Sequence, residues 1–137
     1  MAYTAYILNP KSVDHLLEVF PPKYAEIKCH HITYQYGATS GDDIPEQKEI
    51  YVVGYHDNGA MQVLSVRLGV NEKQVRRDNS EPEKYLHITL SFDPEQNISA
   101  KHSNDVLENI VKLFGEQALF NLDRNIKIDA KPYYLSP

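Results

Sequence analysis

Asp57-Asn58-Gly59 is the feature that most narrows the folds open to this chain. Asn-Gly is the preferred centre of a tight hairpin turn, whose central residues need left-handed backbone that Asn and Gly tolerate best. Lys48–His56 and Ala60–Leu68 flank it, so the sequence predicts an antiparallel hairpin across 48–68.

The segments around the hairpin alternate between strand and helix signals. Tyr3 to Leu8 reads as a strand stopped by Asn9-Pro10. Ser12 is then the expected N-cap of a helix in which Val13, Leu16, Leu17 and Phe20 share one face, until Pro21-Pro22 ends it. Glu26 to Tyr36 reads as one central strand, residues 38–47 as a polar loop, and Gly69 to Lys84 as a charged loop or flap. Tyr85 to Phe92 is a further strand ended by Asp93-Pro94. After Ser103, Val106, Leu107, Ile110, Val111 and Phe114 trace a helical face that stops near Gly115. Asn125–Ile128 and Tyr133–Leu135 read as β segments interrupted by Pro132, an edge arrangement. No linker divides the 137 residues, so a single domain over 1–137 is expected. The order predicts an α+β fold of two similar lobes, antiparallel sheet with helices outside.

Composition limits the function. A net charge of −5 leaves no basic stripe for duplex DNA, although a small nucleotide or an RNA end is compatible. No apolar run reaches membrane-spanning length and the N-terminus lacks a secretory pattern, so a cytoplasmic protein without membrane contact is expected, as a monomer. The single cysteine, Cys29, reads as a core residue and offers no thiolate zinc site. Most of the ten tyrosines are read as packing in strands.

The chemistry lies in a repeat: His31-Ile32-Thr33 and His87-Ile88-Thr89, each inside a predicted strand. Strand side chains alternate, so each histidine shares a face with its threonine while the isoleucine points the other way, into the core. An imidazole transfers protons near neutral pH, and a hydroxyl two positions on can hold a phosphate oxygen. With six histidines and four threonines in the chain, chance placement would give roughly 0.2 such pairs. Two copies with the same middle residue make a lone-motif coincidence a poor explanation.

Cys29-His30-His31-Ile32-Thr33-Tyr34 and Tyr85-Leu86-His87-Ile88-Thr89-Leu90 resemble the duplicated His-x-Thr/Ser signature of the two-histidine, or 2H, phosphoesterases. These include RNA cyclic phosphodiesterases, LigT-like proteins and viral enzymes that degrade signalling oligonucleotides. The resemblance implies a bilobal fold with two antiparallel sheets lining a central cleft, and a metal-independent hydrolase without cofactor. Its substrate would be a phosphodiester next to a ribose hydroxyl: a 2′,3′-cyclic phosphate, a 2′–5′ linkage or a cyclic signalling oligonucleotide. His31 and His87 would be general acid and base, in an order the sequence leaves open, and Thr33 and Thr89 would hold the non-bridging oxygens. His30 stands where the family has an apolar residue, which leaves open which neighbour faces the cleft; the spacing to Thr33 points to His31.

For substrate grip, Tyr36, Tyr85, Tyr133 and Tyr134 are candidates to stack on a base, and Arg67, Arg76 and Arg77 to supply positive charge. His15, His56 and His102 are read as ordinary surface histidines and no metal site is expected. The alternative function is a non-catalytic module that binds a nucleotide or RNA end; a purely structural domain is a third.

Overall fold

The computed structural model describes residues 3–36, 44–69 and 85–135, with the side chains of residues 35 and 36 excepted. The predicted hairpin forms from β4 (Ile50–Asp57) and β5 (Met61–Leu68). Gly59 takes a φ of +88°, and Asn58 Oδ1 accepts from the backbone N–H groups of Ala60 and Met61, both at 2.9 Å. Around it lie β2 (Glu26–Ile27), β6 (His87–Phe92) and β7 (Ile126–Ile128), giving a five-stranded antiparallel sheet in the order β2-β6-β5-β4-β7.

A second antiparallel sheet has the order β3-β1-β8, from β1 (Tyr3–Leu8), β3 (His31–Tyr36) and β8 (Ala130–Leu135). The fold is therefore α+β with two antiparallel sheets. Pro132 does not interrupt β8: it lies within a strand that, among the described residues, pairs only to β1, and it stands opposite Tyr6.

The expected Glu26–Tyr36 strand is two strands in different sheets, β2 and β3, joined through Cys29 at a φ of +59°. The first helix, α1 (Pro10–Val19), starts earlier than expected. Asn9 caps it by accepting from Lys11 N at 2.9 Å, Pro10 occupies the first turn, and Ser12 Oγ instead accepts from Asp129 N at 2.8 Å. The second helix, α2 (Ser103–Phe114), ends at Gly115 as expected. No helix among the described residues is long and apolar enough to cross a membrane. Arg76 and Arg77 lie outside the described residues, as do most of the two predicted loops.

One core is shared by both sheets and α1. It includes Tyr6, Leu16, Cys29, Ile32, Leu64, Val66, Leu86, Ile88 and Leu90. A second lies on the opposite face of the five-stranded sheet, where Val106, Leu107 and Leu119 cover Met61, Val63, Tyr85 and Phe92. The α2 helix packs on the face of the five-stranded sheet that carries Thr89.

Candidate active site

The first motif reaches the second through a change of sheet. Lys28 N and Cys29 N donate to the carbonyls of Leu90 and Thr89 at 2.8 Å, so the chain entering the motif runs along β6. At Cys29 the backbone turns left-handed while its side chain is fully buried, and the next carbonyl, of His30, accepts from Leu8 N at 2.9 Å. The chain thus leaves β6 for β1 within two residues, and β3 begins beside β6. Burial pushes the Cys29 thiol up to about 11, so it is an inert packing group.

Within each motif the alternation is as expected. Ile32 and Ile88 are fully buried in the shared core, whereas His31, Thr33, His87 and Thr89 are half-buried. The two histidines sense each other: burial foremost, then the imidazoles of His30 and His87 and the ammonium of Lys28, hold His31 down to about 4.

The surroundings of the two imidazoles differ. His30 and His31 stack with ring centres 4.3 Å apart and their Nδ1 atoms 2.5 Å apart. One Nδ1 must carry the hydrogen and the other the lone pair, so the geometry couples the protonation of the two rings. Burial, and secondly Lys28, lowers the pKa of His30 as well. Tyr3 adds a tilted ring 6.0 Å from His31. His87 Nδ1 donates to the Tyr85 carbonyl at 2.7 Å, because a carbonyl only accepts, so the proton that comes and goes is on Nε2.

The threonines differ too. Thr89 Oγ1 lies 2.7 Å from Ser103 Oγ and donates to the Ala100 carbonyl at 3.4 Å, which places it at the first turn of α2. Among the described residues the Thr33 hydroxyl makes no hydrogen bond.

The other named residues scatter. Tyr85 is only 7% exposed and packs in the second core, so it offers its carbonyl to His87 and little ring face to a base. The side chain of Tyr36 lies outside the described set. Arg67 shares a face with Ser65, which stands opposite His87; its Nη1 donates to the Gly69 carbonyl at 2.6 Å and its guanidinium lies 4.5 Å above the Tyr51 ring. Tyr133 is exposed, and Tyr134 is half-buried opposite Thr4.

His15 is exposed as expected, and His102 is half-buried, accepting from Ser99 N at 3.0 Å. His56 contradicts the surface reading: it is 5% exposed, its Nε2 lies 3.1 Å from Ser65 Oγ, and burial holds its pKa down to about 4. The reason is tertiary. α2 and the turn at Glu116–Leu119 cover this part of the sheet, and Ser65 Oγ donates to the Leu119 carbonyl. Sequence reasoning missed Ser103 as the partner of Thr89, and took His30 for a competitor of His31 when it is its stacking partner; two adjacent imidazoles were the signal for that pairing.

No group of three or more His, Cys, Asp or Glu side chains that could hold a metal ion exists among the described residues. Comparison with models of known families, with curated proteins and with solved structures finds no match to this chain.

Proposed function

We propose that this chain is a phosphodiesterase of the two-histidine type, acting on a nucleotide or RNA-end phosphodiester beside a ribose hydroxyl. In this reading the two sheets are two lobes and the phosphate sits between the motif strands. The observation that carries it is the meeting of two identical His-Ile-Thr tripeptides at the junction of the sheets, with isoleucines in one core and histidines in electrostatic contact.

The unlike surroundings suggest unlike roles. A neutral His31 is suited to accept the proton of the attacking water or ribose hydroxyl, and an incoming phosphodiester anion raises its proton affinity from the low starting value. His87, whose Nδ1–H is held by the Tyr85 carbonyl so that Nε2 is its exchanging atom, is suited to deliver a proton from Nε2 to the departing ribose oxygen. Thr33 and Thr89 would hold non-bridging oxygens; Thr89 does so by turning from its long bond to Ala100, with the positive end of α2 beside it. Arg67 would add charge from the same face as His87.

The test is hydrolysis of 2′,3′-cyclic nucleotides, cyclic-phosphate RNA ends, 2′–5′ oligonucleotides and cyclic dinucleotides in EDTA. The expected result is activity that falls at least about a hundredfold in His31→Ala and in His87→Ala. Activity indifferent to both substitutions overturns the reading. The engaged Thr89 hydroxyl favours a second reading, a nucleotide- or RNA-end-binding module, which predicts binding without turnover.

A further inference from the structure

His31 and Thr33 do not end the face on which they stand. Ile7 is opposite His31 and Ala5 opposite Thr33; on the other side of β1, Lys131 is opposite Ile7 and Tyr133 opposite Ala5. Directly opposed residues of antiparallel strands project to one side. Two rows therefore cross the three strands: His31, Ile7, Lys131 and Thr33, Ala5, Tyr133. With neighbouring strands about 4.8 Å apart, each row sets its outer residue about 10 Å from the motif.

The outer end of these rows is a hollow of about 380 Å³, lined by Ile7, Asn9, Pro10, Lys131 and Tyr133 among others. Its chemistry is mixed in a particular way. Ile7 is a half-buried apolar floor, Tyr133 is 48% exposed, and Lys131 has no ion-pair partner among the described residues. Asn9 and Pro10 are the start of α1, which carries no acidic residue in its first turn, so the positive end of that helix adds to the lysine. A cation, an aromatic face and an apolar floor, one nucleotide's reach from the motif, fit a phosphate, a base and a ribose.

We propose that this hollow is a second nucleotide subsite: it takes the unit adjoining the scissile phosphodiester, with that unit's phosphate on Lys131 and its base on Tyr133. The inference rests on the phosphodiesterase reading and narrows it, making an oligonucleotide the preferred substrate over a mononucleotide.

Calorimetry with adenosine 3′-monophosphate and with a diadenylate bearing a 3′-phosphate reads occupancy without turnover. The dinucleotide should bind the wild type more tightly. Tyr133→Ala should lower the dinucleotide-to-mononucleotide affinity ratio by about tenfold, since stacking of a base on an aromatic ring is of that order. Lys131→Gln should lower it as well and reduce the slope of log affinity against log salt by about one. Both residues are exposed, so folding is not at stake. Equal affinities in the wild type, no binding of either ligand, or ratios indifferent to both substitutions would each overturn the subsite. Hydrolysis in His31→Ala and His87→Ala separates the two claims. Turnover that needs both histidines with an indifferent ratio sinks the subsite alone; a ratio that needs Lys131 and Tyr133 with turnover that ignores the histidines sinks the mechanism alone.

Discussion

Acidification should unfold this protein in part through His56, and the size of the effect follows from its site. Its Nε2 donates to Ser65 Oγ, because the serine hydroxyl's own hydrogen is directed to the Leu119 carbonyl. The ring is 5% exposed and burial holds its pKa down to about 4, against 6.5 for an ordinary histidine. The folded chain therefore keeps His56 neutral where the unfolded chain protonates it. The unfolded state binds more protons between pH 6.5 and about 4, so stability falls as pH falls through that window and levels off below it. At about 1.4 kcal/mol per pH unit the loss amounts to about 3 kcal/mol, a large share of the roughly 5–15 kcal/mol that holds a domain folded. Urea denaturation at pH 7.5, 6.5, 5.5 and 4.5 measures this in the wild type and in His56→Gln, whose amide can still donate to Ser65. His31 is depressed in the same direction and contributes to both proteins, so the difference between the two curves isolates His56. The wild type should lose about 3 kcal/mol more than the variant on going to acid. Parallel curves would refute the assignment of a buried neutral imidazole.

Four further outcomes follow. Gly54→Ala should cost about 3 kcal/mol, read as a lower urea midpoint, because a Cβ there would meet the Leu119 carbonyl and Ser65 Oγ and come within 2.9 Å of His56 Nε2. Wild-type stability in that variant would mean the strand and the Leu119 turn are not in contact. His30→Ala should raise the pKa of His31, since it removes both a covering ring and a neighbouring positive charge; proton NMR titration of the His31 ring checks this, and an unmoved or lower value counts against the stacked pair. Thr89→Val should cost about 1–3 kcal/mol by taking the partner of the buried Ser103 hydroxyl. Thr33→Val should leave stability near wild type while lowering kcat/KM about a hundredfold in the proposed reaction; equal urea midpoints for the two variants would contradict that difference.

What could be read in advance was whatever local chemistry decides. Gly59 specifies the turn through backbone that few residues adopt and Asn58 through its side-chain oxygen, and the alternation around Ile32 and Ile88 assigns faces because one side of each strand must be buried. The errors fall where distant segments decide. Asn9-Pro10 stops β1 at Leu8 as read, yet the same pair also starts α1, and Ser12, the expected N-cap, is instead taken by Asp129 N. Glu26–Tyr36 looked like a single strand because every residue suits one; Cys29 breaks it without a glycine because β6 holds one side of the break and β1 the other. His56 could not be seen to be buried, since Leu119 and α2, which cover it, lie some sixty residues further on.

That break at Cys29 also bears on how identical tripeptides can do different work. A reaction with one proton donor and one acceptor needs two histidines in unlike states, and the sequence His-Ile-Thr is the same twice. The difference is in what the fold sets beside each. The turn that carries the first motif from β6 to β1 brings His30 and Lys28 close to His31, so burial foremost, with these neighbours, keeps it neutral. The second motif continues straight from Tyr85, whose carbonyl is then the natural partner of His87 Nδ1 and leaves Nε2 as the atom that exchanges a proton. In the proposed reaction base and acid are thus assigned by the sheet change at one residue and by its absence at the other.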